Sequence, residues 1–111
     1  MNLRIYPIIL GVVADLVRLA RHRVARRDKN MADQLSRAAQ SIVLNFVEGI
    51  DAPGKNRNAR LSTALCSGRE AMAAVHLSIA LGDVSQAEVD DVLTRLDRVN
   101  GTLWRLMHTK R

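Results

Sequence analysis

One pattern governs what this chain can fold into. Apolar side chains return every three or four residues in four separate stretches, and nowhere do they alternate as in a strand. The first stretch begins near Pro7, which suits the opening turn of a helix because its missing N–H costs nothing there. Ile9, Val12, Val13, Leu16, Ala20 and Val24 form one stripe; Gly11, Asp15, Arg18, His22 and Arg26 form the opposite one. Ile8, Leu10, Val17 and Leu19 widen the apolar face beyond what one partner helix covers. After the polar link 27–30, in which Asp28 or Asn30 can cap the next helix, Met31, Leu35, Ala38, Ala39, Ile42 and Phe46 make a second seam that Gly49 is expected to end.

A loop over 49–56 leads to a third seam of Leu61, Leu65, Gly68, Met72, Val75 and Ile79. Beside it runs a small-residue stripe, Ala64, Ser67, Ala71, Ala74 and Ser78, which lets helix axes approach closely. Gly82-Asp83 breaks the chain, and Ser85 with Glu88 makes a capping box that opens a fourth helix. Its seam, from Val89 through Leu96 and Val99 to Leu106, keeps phase across Asn100-Gly101 although a mid-helix glycine costs about 1 kcal/mol. Four helices, about 7–27, 30–49, 57–81 and 86–108, with short links predict an all-α, antiparallel, left-handed up-down-up-down four-helix bundle. At 111 residues it is one domain, 1–111, with room for one core. Tyr6, Phe46 and Trp104 are the only aromatics, so that core is aliphatic and Ala-rich.

The net charge of +6 is placed unevenly. Residues 1–60 carry eleven Lys/Arg against five Asp/Glu, whereas 61–111 carry six of each. Such an excess favours polyanionic partners or serves only as a solvated surface. Arg21, Arg23, Arg26, Arg27 and Lys29 gather at the end of the first helix, where Asp83, Glu88, Asp90 and Asp91, at the turn between the third and fourth helices, are expected to neutralise them in part. Lys55, Arg57 and Arg60 gather at the other end, with Arg4, Lys110 and Arg111. The scarcity of aromatics points to phosphate and shape contacts rather than base stacking. Catalytic groups do not converge. His22, His76 and His108 fall on three helices without metal-pair spacing, and Cys66 reads as a small core residue about 15 Å along its helix from His76. No enzyme activity, metal or cofactor is expected. A lone cysteine suits a reducing cytoplasm, the apolar N-terminal run reads as an amphipathic helix rather than a signal peptide, and no run reaches the roughly 18 residues a membrane span needs.

"DQLSRAAQSIVLNFVEG" (33–49), the Gly/Pro/Lys loop and "ALCSGREAMAAVHLSIALGD" (64–83) together resemble the four-helix-bundle family encoded in intervening sequences of large-subunit ribosomal RNA genes, which includes the accessory variability determinant of diversity-generating retroelements. The resemblance spans essentially the whole chain and is strongest at Asn45-Phe46-Val47-Glu48-Gly49. It implies a bundle that assembles as a homopentamer around a central channel, without enzyme activity. It also implies, for members tied to retroelements, binding to RNA or DNA and to a reverse transcriptase. Asn45 and Glu48 lie three apart on one helical face, and Ser67, Arg69 and Glu70 of the third helix, or Arg60 nearer its start, are placed to meet them. Asn45, Glu48, Ser67 and Glu70 are read as a structural register lock, with a polyanion- or ion-binding site as the alternative. The leading expectation is thus a non-enzymatic accessory factor on nucleic acid. The competing one is an oligomeric scaffold for a protein partner.

Overall fold

The computed structural model describes residues 4–109. Helices α1 (Ile5–His22), α2 (Lys29–Ile50), α3 (Gly54–Ala80) and α4 (Gln86–His108) form an all-α four-helix bundle measuring 44 × 23 × 19 Å. Helix α2 packs along α1 and α3, α3 packs on α4, and α4 closes the bundle against α1, as an up-down-up-down path requires.

Local chemistry sets the boundaries. Pro7 sits in the first turn of α1, which starts two residues before it because the opening N–H groups of a helix have no partner to lose. The far end of α1 tightens into a short 3-10 turn, Val24–Arg26, which buries Val24 completely while the chain reverses. The Asp28 carboxylate accepts the Met31 N–H at 2.9 Å and caps α2. Gly49, expected to stop that helix, lies inside it. Its role is closeness: a Cβ there would stand 2.6 Å from Arg60 Cβ and 3.3 Å from the Arg57 carbonyl. The chain leaves α3 through Gly82, at φ 79°, with Gly82 N–H donating to Ile79 O and Asp83 N–H to Ser78 O. Ser85 and Glu88 then form the reciprocal capping box of α4, which runs unbroken through Asn100-Gly101.

Phe46, Ile9, Leu16, Leu35, Ile42, Leu61, Leu96 and Leu103 are fully buried. Each such side chain contributes about 1.5–3 kcal/mol through burial. On α3 the buried face is turned toward the small-residue stripe: Ala64, Ala71 and Ser78 are fully buried, while Met72 and Ile79 lie at the edge of the core. Small side chains on α3 meet Ala38 and Ala39 in a core where bulk is supplied mainly by the other helices. Cys66, expected in the core, is exposed; Leu65 and Ser67 on either side of it take the buried positions. No helix among the described residues is long and apolar enough to cross a membrane.

Candidate nucleic-acid interface

The five cations at the end of α1 separate into one held and four free. Arg23 clamps Glu88 of α4 with two bonds, Nε to Oε1 at 2.7 Å and Nη2 to Oε2 at 3.1 Å. The Arg23 guanidinium and the Ser85 N–H hold the Glu88 carboxyl at a pKa of about 2. Arg21, Arg26, Arg27 and Lys29 are exposed and make no ion pair with a described residue. Arg26 and Arg27 border a 510 Å³ concavity whose far wall is the α3–α4 turn, Gly82 to Ser85. Of the acids expected to neutralise this end, Glu88 pairs with Arg23, and Asp83 lines the same concavity as Arg26 and Arg27 without an ion pair to a described residue. Asp91 is taken by Arg95 at 2.8 Å, and Asp90 accepts from Gln86 at 2.6 Å.

The second basic group does not form a patch. Lys55 is exposed at the start of α3. Arg57 is buried, 9% exposed, and donates through Nη1 to the Leu106 carbonyl at 2.9 Å. It therefore caps the C-terminal turn of α4, where a cation complements the helix dipole, and is withdrawn from the surface. Arg60 is exposed but turned back onto α2, 3.1 Å from Glu48. Lys110 and Arg111 lie outside the described residues.

The polar motif on α2 is knitted largely through Ser41, a residue that no spacing pattern singles out. Asn45 Nδ2 donates to the Ser41 carbonyl at 2.9 Å and to Ser41 Oγ at 3.0 Å, and Ser67 Oγ of α3 donates to Ser41 Oγ at 2.7 Å. Arg60 reaches both Asn45 Oδ1, at 3.4 Å, and Glu48. Asn45, Glu48 and Ser67 thus join one α2–α3 network. Glu70 stays outside it, farther along α3 beside Gln34 and Leu77. The Arg60–Glu48 pair is half exposed on both sides, so it contributes about 0–1 kcal/mol; the Ser67 hydroxyl, bonded to Ser41, is the buried part of the network.

A cross-helix group on α1 was also hidden in the sequence. Asp15, on the stripe taken for solvent, accepts from Arg95 of α4 at 2.6 Å and from Arg18 at 3.0 Å. Only the packing of α1 on α4 makes that pairing visible. Among the described residues no three His, Cys, Asp or Glu side chains are grouped to hold a metal ion.

The bundle is similar to a crystal structure of a protein with unknown function from the S23 ribosomal protein family of Bacteroides thetaiotaomicron VPI-5482. The TM-score is 0.85 at 19% identity, covering 95% of this chain and 99% of that one. At that identity the likeness shows the fold. A search of curated proteins found no match. The model of the 23S rRNA-intervening sequence proteins matches residues 1–105, and the chain therefore belongs to the 23S rRNA-intervening sequence protein family.

Proposed function

We propose that this bundle is a non-enzymatic accessory factor that binds the phosphate backbone of RNA or DNA and acts as a homo-oligomer. One observation carries it: Arg21, Arg26, Arg27 and Lys29 are four exposed cations within nine residues, free of carboxylate partners among the described residues, while Glu88, Asp90 and Asp91 are held by other groups and Asp83 is the one unpaired acid on the same concavity. Lys55 adds a cation at the other end, whereas Arg23, Arg57 and Arg60 serve the fold. A ring of five copies of a +6 chain would carry about +30, a field that draws a polyanion at long range. The likeness to retroelement accessory proteins adds a reverse transcriptase as a candidate protein partner, and a single cysteine, which cannot build a disulfide framework within the chain, fits a cytoplasmic setting.

A salt titration of binding to duplex DNA and to ribosomal RNA tests the proposal. Affinity should fall steeply with salt, and the double variant Arg26→Ala, Arg27→Ala should flatten the slope by about one unit for each phosphate no longer neutralised. No binding at low salt would overturn it. The second reading, a scaffold for a protein partner, rests on the exposed Leu44, Val47, Leu77 and Leu81 along α2 and α3; binding of a partner protein undiminished by that double variant would favour it.

A further inference from the structure

Between α3 and α4 runs a groove of 610 Å³, within the size range of small-ligand sites. Its depth has two local causes. Gly101 contributes no side chain to it. The amide of Asn100 is sunk onto Gly68 of α3, where an added Cβ would overlap it. Neither residue fills the space above Leu65 and Met72, which form an apolar floor.

The rim carries two guanidinium groups with no carboxylate partner among the described residues. Arg69 is exposed and makes no ion pair or hydrogen bond with a described residue, and the Arg105 guanidinium donates only to the Thr102 hydroxyl, at 3.1 Å. Asn100, which also lines the groove, has its Oδ1 buried against α3 without a donor among the described residues. Trp104 is 48% exposed, and its indole N–H has no acceptor among the described residues. The His108 ring lies 3.9 Å from it in a stacked pair and covers one side of the indole. Asp97 is the single carboxylate on the rim.

Two unpaired guanidinium groups beside one half-exposed indole call for an anion attached to a flat ring. We infer that the groove holds one nucleotide of a single-stranded nucleic acid, its base against Trp104 and Met72 and its phosphate between Arg69 and Arg105, with Asp97 placed to accept from an exocyclic amine. The inference rests on the polyanion binding proposed above and adds a base contact to it. Tyr6 and Phe46 stack on each other inside the bundle, so one aromatic ring per chain is available outside. That matches one base per chain, not continuous stacking along a strand.

Trp104 is the only tryptophan, so its fluorescence reports the groove directly. The probes are a 12-nucleotide oligoadenylate RNA, an abasic chain of the same length and charge, and a polyglutamate of matched charge. An added Cβ at Gly101 meets only Arg105 Nη1, at 3.5 Å, so Gly101→Leu fits the helix while filling the groove. The oligoadenylate should quench Trp104 and bind about tenfold more tightly than the abasic chain. Gly101→Leu should reduce oligoadenylate binding to no more than the abasic level and abolish the Trp104 quench. Equal binding of both chains, insensitive to Gly101→Leu, overturns the groove and leaves the backbone binding standing. Equal quenching by polyglutamate assigns the groove to an acidic protein segment and overturns the inference. Failure of both nucleic-acid chains to bind overturns the polyanion proposal and the groove together.

Discussion

A single added methyl group distinguishes three of the glycines inside the helices, Gly49, Gly68 and Gly101. Alanine favours a helix over glycine by about 0.5–1 kcal/mol, so each Gly→Ala change begins with a stabilising push. At Gly101 nothing opposes it, since an added Cβ makes only an ordinary contact with Arg105. At Gly68 the Cβ would overlap the Asn100 amide, the far end of a side chain whose Oδ1 has no donor to lose by turning away, whereas at Gly49 it would press on Arg60 Cβ and the Arg57 carbonyl, neither of which is the free end of a flexible chain. Overpacking of this kind costs about 1–3 kcal/mol. Gly101→Ala should therefore raise the urea midpoint, while Gly49→Ala should lower it. A stabilised Gly49→Ala variant would show that the α2–α3 packing gives way freely. The sequence pointed to Gly49 as a helix stop because C-terminal glycines usually are stops. What distinguishes it is the distance to α3, a tertiary quantity with no trace in local spacing. The same holds for Arg57, which reads as a surface cation among Lys55 and Arg60 until α4 is seen to end beside it.

The elements themselves were far more legible than their partnerships. Four periodic stripes, the Asp28 cap and the Ser85–Glu88 box are local, and each is present in the fold. The exit from α3 is local too, because Gly82 takes the left-handed conformation that suits glycine. By contrast, the Arg23–Glu88 clamp joins residues 65 apart and ties the end of α1 to the start of α4. It makes the junction between elements sensitive to acid. Glu88 titrates at about 2 in the fold against 4.5 when unperturbed, chiefly because Arg23 hydrogen-bonds the charged form. A depressed carboxylate pKa means the unfolded chain binds the proton first. The clamp's contribution is present in full above about pH 4.5 and is lost as pH falls toward 2. Glu88→Gln should therefore flatten the pH dependence of stability between those limits, measured by chemical denaturation. An unchanged slope would show that the clamp does not persist in solution.

For the whole molecule, the decisive quantity is apolar surface that four helices leave uncovered. Sequence periodicity located such a surplus on α1, and there Ile8 and Leu10 are indeed exposed, while Val17 and Leu19 pack partly against the core. The larger residues outside lie on α2 and α3: Leu44 at 61%, Leu81 at 57%, with Val47 and Leu77 less exposed and Trp104 on α4. Single exposed side chains are ordinary in a monomer, but two pairs along α2 and α3 add up to apolar surface that gains by being covered. If that surface is where copies of the chain meet, charging it should dissolve the assembly without harming the bundle. Exposed substitutions away from caps alter stability by about 0.5 kcal/mol or less. Leu44→Lys with Leu77→Lys, neither at a cap and each with a charge sign that suits its helix surroundings, should therefore keep the wild-type helical content and melting curve. In sedimentation velocity it should run as the 12.3 kDa chain, whereas the wild type runs as a larger species with a concentration-dependent profile. A wild-type chain that stays at 12.3 kDa at high concentration would end the case for a ring. It would also remove the multiplied charge on which strong backbone binding depends, leaving each bundle to hold a polyanion with the four cations of its own α1–α2 junction.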